Sequence, residues 1–177
     1  MTKPPALAQL LATAEPPELG PGPRTAVQTQ AALNSKLEEN FQKAKVSGEH
    51  KELIRALMLL WHDHLDAAHG IAQEIDNPDG AFIHGIMHRR EPDYPNAKYW
   101  FRRAHQHGAY GEIAARVRTF LDPSLAKKLL PNGNWDAFAF VDCCEEASGR
   151  KNSDSVVEVL REVQRIETEA LLDWLYQ

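Results

Sequence analysis

The sequence predicts an all-α protein, an irregular helical bundle around a long central helix at about 48–75. Three observations predict it. Apolar residues recur at helical spacing through most of the chain, and Leu53, Leu57, Leu60, Ala68, Ile71 and Ile75 form the longest such stripe. Residues that start and stop helices punctuate these runs. No run alternates apolar and polar residues with β-branched enrichment, so strands are not expected.

Residues 1–25 form a proline- and glycine-rich arm, and residues 26–177 a single helical domain. In the arm, Ala6–Thr13 has the length for two turns of helix. Glu15–Thr25 must be extended, because the prolines at 16, 17, 21 and 23 lack donors and disfavour helix before them. Leu33, Leu37 and Phe41 give a narrow stripe on a polar helix over 26–45. Ser47 is a suitable N-cap for the long helix. Asn77-Pro78-Asp79-Gly80 breaks that helix, with Asp79 capping a short one to Arg90.

Glu91–Pro95 reads as a loop, and Asn96 as the cap of a helix from Ala97 to about His107, ended by Gly108. Further helices follow at about 111–121, then from Asp122-Pro123 to Leu130. Asn134 precedes another to about Ala147. The last, about 156–176, opens on a Ser155-x-x-Glu158 capping box.

A chain of 177 residues can bury a core without staples. Its formal net charge of −5 supplies no basic field for a nucleic-acid backbone, so no nucleic-acid partner is expected. Cys143 and Cys144 are adjacent, which suits neither a disulfide framework nor a zinc knuckle; they read as reduced residues of a cytoplasmic protein. No stretch reaches the about 18 apolar residues of a membrane span, so no membrane partner is expected. Met1–Ala14 is too interrupted by proline and Gln9 for a secretory leader.

Function concentrates in residues 58–103. Five of the eight histidines lie between His62 and His88, and no lysine or arginine occurs from Ala56 to His88. On a continuous helix His62, Asp66, His69 and Gln73 share one narrow polar face. A face that meets water usually carries Lys, Glu and Arg; imidazoles, a short carboxylate and an amide suit a partly buried seam. His84 and His88 stand one turn apart on the next helix.

Three chemistries fit. A transition-metal ion could be held by His62, Asp66, His69, His84 and His88, although the glutamate of the HExxH pattern is missing. An acid–base or anion site could use His69 or His84 as base, with Asp66 orienting it and Arg89 holding a carboxylate or phosphate. His62, Gln73, Asn96, Tyr99 and Arg103 would line that pocket, and Trp100 offers a stacking face. A satisfied internal hydrogen-bond network between packed helices is the third. Trp61, Trp135, Trp174 and His64 read as core, and His105 and His107 as cationic helix-end residues. The His62-Asp63 doublet matches that of HD-type phosphohydrolases, but the remaining histidine and aspartate of that pattern are missing.

The strings LLWHDHLDAAHGIAQEI and DGAFIHGIMHRREPDYPNAKYWFRR, with the earlier ELGPGP, resemble a family of uncharacterised bacterial and fungal proteins. The resemblance covers roughly residues 15–110. It implies no activity, because that family has none assigned.

The expectation is therefore a His/Asp/Arg-rich pocket, in a hydrolase or acid–base enzyme acting on a small anionic molecule. The alternatives are a non-catalytic ligand-binding or interaction module, and a purely structural polar core. The polar or apolar stripe of the long helix could equally face a second subunit, making an oligomer.

Overall fold

Among residues 5–44, 46 and 48–177, which the computed structural model describes, every regular element is helical. The arm contributes α1 (Pro5–Leu10), and α2 spans Gln30–Ala44. Then come α3 (Gly48–Trp61), α4 (Leu65–Ala72), α5 (Pro78–Arg90) and α6 (Tyr94–Ala104). The C-terminal third folds as α7 (Tyr110–Val117), α8 (Pro123–Leu129), a 3-10 turn at Pro131–Gly133, α9 (Ala137–Glu146) and α10 (Ser155–Leu175). No described helix is long and apolar enough to cross a membrane.

The expected long helix is two helices. The chain turns at His62–His64, where Asp63 takes a left-handed conformation with φ of 65°. In a continuous helix the carbonyls of Leu60 and Trp61 would accept from the N–H groups four residues on. Here the Arg90 guanidinium donates to Leu60 O and that of Arg24 to Trp61 O. The Asp63 carboxylate accepts the backbone N–H of Arg24 at 2.8 Å, its Nε at 2.9 Å, and an Arg90 nitrogen at 2.6 Å. Two arginines thus take over the end of α3, and the polar face expected along 62–73 is split.

Helix α5 occupies the centre instead. Every residue from Gly80 to Arg90 is buried, including His84, His88, Arg89 and Arg90. A helix covered all round needs neighbours on each side. They are α3, α4 and α6, with α10 crossing behind to meet Arg89. Helix α6 comes so close that a Cβ on Gly85 would stand 2.9 Å from the Phe101 ring.

The arm is part of the body. Leu7, Leu10 and Leu11 belong to the core, and Arg161 and Gln164 of α10 donate to the carbonyls of Pro16, Pro17 and Glu18.

Four helix starts lie off their expected caps. Asn77, not Asp79, caps α5 by accepting from Gly80 N; Asp93 caps α6 by accepting from Asn96 N. Asp136 and Asp154 cap α9 and α10 in place of Asn134 and the capping box. In each case a neighbouring Asp or Asn takes the cap, since short side chains reach the free N–H groups equally well. Asp122 caps α8 as expected. The cap placed at Ser47 lies outside the described residues. Trp174, expected in the core, is 38% exposed, and its indole N–H bonds Asp79.

Candidate functional site

Several residues expected in the pocket are structural. His62 is buried, with Nε2 2.9 Å from Leu10 O and Nδ1 accepting from Gln28 N, so it pins the arm. Burial, with the nearby Arg24 charge, holds its pKa below the ordinary value against the pull of the Leu10 bond. His64 bonds Gln28 O at 2.8 Å. Arg89, expected to hold an anion, is fully buried. Its guanidinium bonds both oxygens of Glu167, reaches Gln164 at 3.4 Å, and lies over the Phe140 ring at 4.2 Å. Burial works against its charge, but Glu167 outweighs that and raises its pKa. Asp66 is exposed on α4 and makes no hydrogen bond to His69, and Gln73 is the exposed C-cap of that helix.

The other imidazoles do come together. His69 from α4 meets His84 and His88 from α5, with ring centroids 5.2 and 5.6 Å apart and planes nearly perpendicular. His84 and His88 stack one turn apart at 5.9 Å. His84 also stacks on Trp100 of α6 at 4.0 Å, with an interplanar angle of 9°. Arg103 covers Trp100 at 5.2 Å, donates to Tyr99 Oη at 3.3 Å and pairs with Asp76. The Asn96 amide stands 3.2 Å from His88 Nε2, and Glu91 is 3.3 Å from its Nδ1. Glu91 and Asp93 serve His88 and the α6 cap.

His84 is the anomaly. It is 1% exposed, and neither ring nitrogen has a hydrogen-bond partner among the described residues. A neutral imidazole carries one donor and one acceptor, and leaving either buried and unmet costs about 1–3 kcal/mol. Burial first, then the neighbouring His69 and His88, lower its pKa to about 4, so the ring is neutral at neutral pH. The Gly80 carbonyl one turn back acts in the opposite direction without completing a hydrogen bond. His88 is lowered mainly by burial, against the opposing pull of Glu91.

The five side chains considered as metal ligands divide between these settings: His62 serves the arm, Asp66 faces solvent, and three imidazoles line the seam. Among the described residues no group of three His, Cys, Asp or Glu side chains could hold a metal ion. No family model, curated protein or solved structure matches the chain.

Next to the seam, and touching it through Arg103, is a cleft of about 370 Å³ lined by Asp76, Asn77, Pro78, Arg102, Arg103 and His105; none of the three histidines lines it. Arg103 belongs to both the cleft and the aromatic stack. His107 and the two cysteines are not reactive as they stand. His107 bonds Asp79 through Nε2 at 2.7 Å and accepts Ala109 N at Nδ1, so neither nitrogen is free to act as a base. Burial pushes the Cys144 thiol up to about 12 and raises Cys143 as well, which leaves no thiolate nucleophile.

Sequence reasoning missed two arginines that matter for architecture, Arg24 and Arg161. With Arg90 they hold the arm and the α3–α4 break, and no local pattern marks these contacts because the partners are far away in the chain.

Proposed function

We propose that the seam of α4, α5 and α6 binds a small anionic molecule and performs acid–base chemistry on it, hydrolysis being the reaction class that suits it best. The supporting observation is His84, an imidazole sealed in the fold with both nitrogens unmet beside two further histidines. Buried polar groups are nearly always satisfied, and exceptions mark catalytic positions or places where a ligand or water completes the set.

The roles follow from exposure. His69 is half-buried at the rim and is the imidazole that a bound molecule can reach, so it is the general base or acid. Neutral His84 behind it keeps a donor and an acceptor for hydrogen bonding without adding charge. Arg103, not the sealed Arg89, is the anion contact; its guanidinium can fork onto a carboxylate or phosphate in exchange for Asp76. Asn96, Tyr99 and Trp100 complete the wall.

A structural reading suits the neighbouring His62, Arg89 and Arg90, each buried and bonded within the protein. Titration calorimetry with inorganic phosphate and with acetate separates the two readings. The proposal expects saturable binding of one of them, weakened at least about tenfold in Arg103→Gln, the loss of one charge-assisted contact. Turnover of the matching p-nitrophenyl ester should fall in His69→Gln while binding persists. No binding of either anion by the parent, or equal binding by Arg103→Gln, would leave the seam purely structural.

A further inference from the structure

A second concavity lies just past the C-terminal end of α6, where the loop into α7, the 3-10 turn and the start of α9 converge; His105 borders both it and the first cleft. Two cavities of about 310 and 370 Å³ share the same four residues, Gln106, Tyr110, Asn134 and Trp135, and so form one cleft. Ala114, Ala115 and Phe138 make parts of its wall apolar.

Two polar groups in this cleft are under-used. The Trp135 side chain lines the cleft and is 5% exposed, and its buried indole N–H has no hydrogen-bond partner among the described residues. An indole nitrogen is a donor only, so what it lacks is an acceptor. Arg118 lines the same cleft, donates to the Gly133 carbonyl at 2.7 Å, and has no carboxylate partner among the described residues. Tyr110, half-buried, forms part of the wall. His107 is a wall only, since both of its nitrogens are engaged.

We propose that this cleft is a binding site for a small monocarboxylate with an apolar body, its carboxylate received by Arg118 and the Trp135 indole N–H. A carboxylate is acceptor-only and offers two oxygens, which matches one cationic and one neutral donor. The apolar wall matches the rest of such a molecule, as in most small-ligand sites. The proposal uses none of the three seam histidines, although His105 borders both this cleft and the one beside Arg103.

The test is an NMR titration of the indole N–H signals of the full chain with benzoate, with benzamide as the uncharged counterpart. The four tryptophans give four such signals, and Trp135→Phe identifies the one that matters. The expected result is a saturable shift of the Trp135 signal with benzoate, at least about tenfold weaker in Arg118→Gln and with benzamide, as loss of a charged contact requires. Arg118 is the exposed C-cap of α7, so Arg118→Gln leaves the core intact. Arg103→Gln, which disables the other site, should leave the response unchanged. Failure of the Trp135 signal to saturate, or equal affinity in Arg118→Gln, overturns the proposal whatever happens at the histidine seam.

Discussion

His84 and Arg89 are little more than one turn apart on α5 and meet burial in opposite ways. Arg89 keeps its charge and carries a partner inside with it; both it and Glu167 are inaccessible to solvent. Removing one partner of such a pair strands the other, at a cost of about 3–5 kcal/mol. Glu167→Ala is therefore expected to lower unfolding free energy in urea by that amount, and Arg89→Met with Glu167→Leu to recover most of it. A cost below about 1 kcal/mol for Glu167→Ala would mean the pair is not sealed. His84 gives up its charge instead. Its folded pKa of about 4 lies below the ordinary value of about 6.5, so protons bind the unfolded chain more tightly. The stability it contributes is complete above about pH 6.5 and is lost as pH falls towards 4; His62 and His88, lowered in the same direction, add to the loss. The urea midpoint should fall across that window, and a midpoint flat from pH 7 to 5 would contradict it. At this scale the sequence was informative about identity and not about partners. The scarcity of lysine and arginine through 56–88 marked a polar seam, and His69, His84, His88, Asn96 and Tyr99 do gather there. Nothing near Arg89 announced that Glu167, on the last helix, would claim it.

Local signals located most of the helices, because apolar spacing and stop residues are properties of neighbouring positions. The break at 62–64 was invisible for the opposite reason. Its determinants, Arg24 and Arg90, lie 39 and 27 residues from Asp63. Pattern alone makes 48–75 one helix; two guanidiniums bonding its carbonyls make it two. The centrality of α5 was hidden similarly, since the helices that cover it on every side include α3 and α10, which are distant in the chain. Its packing against α6 depends on having no side chain at Gly85. Gly85→Ala must displace Phe101 and is expected to cost about 1–3 kcal/mol, the usual range for overpacking. Gly70 on α4 is exposed with nothing near its added Cβ, so Gly70→Ala should stabilise by about 0.5–1 kcal/mol through helix propensity. Chemical denaturation of both variants checks the contrast; equal and opposite signs from those expected would reverse the packing assignment.

Across the whole molecule the arm, the α3–α4 break and the histidine seam form one connected construction. Asp63 ties arm residue Arg24 to α5 through Arg90, and both ion pairs are almost free of solvent. Burial raises the Asp63 pKa, yet the bonds from Arg24 and Arg90 outweigh it and hold the carboxyl below the usual range. Asp63→Ala should therefore release the arm, and limited proteolysis would show cleavage between residues 13 and 27 well before the parent is cut. Release would also loosen the frame that sets α4, and hence His69, against α5. The central claim is that His69, His84 and His88 form an anion-responsive cluster with a neutral histidine sealed at its heart. The most direct measurement is imidazole nitrogen NMR of these three residues across pH, with and without inorganic phosphate or acetate. The account predicts that His84 stays neutral until pH approaches 4, and that one anion shifts the His69 ring signals in the parent but not in Arg103→Gln. An ordinary titration of His84 near 6.5, with ring signals indifferent to both anions, would contradict it.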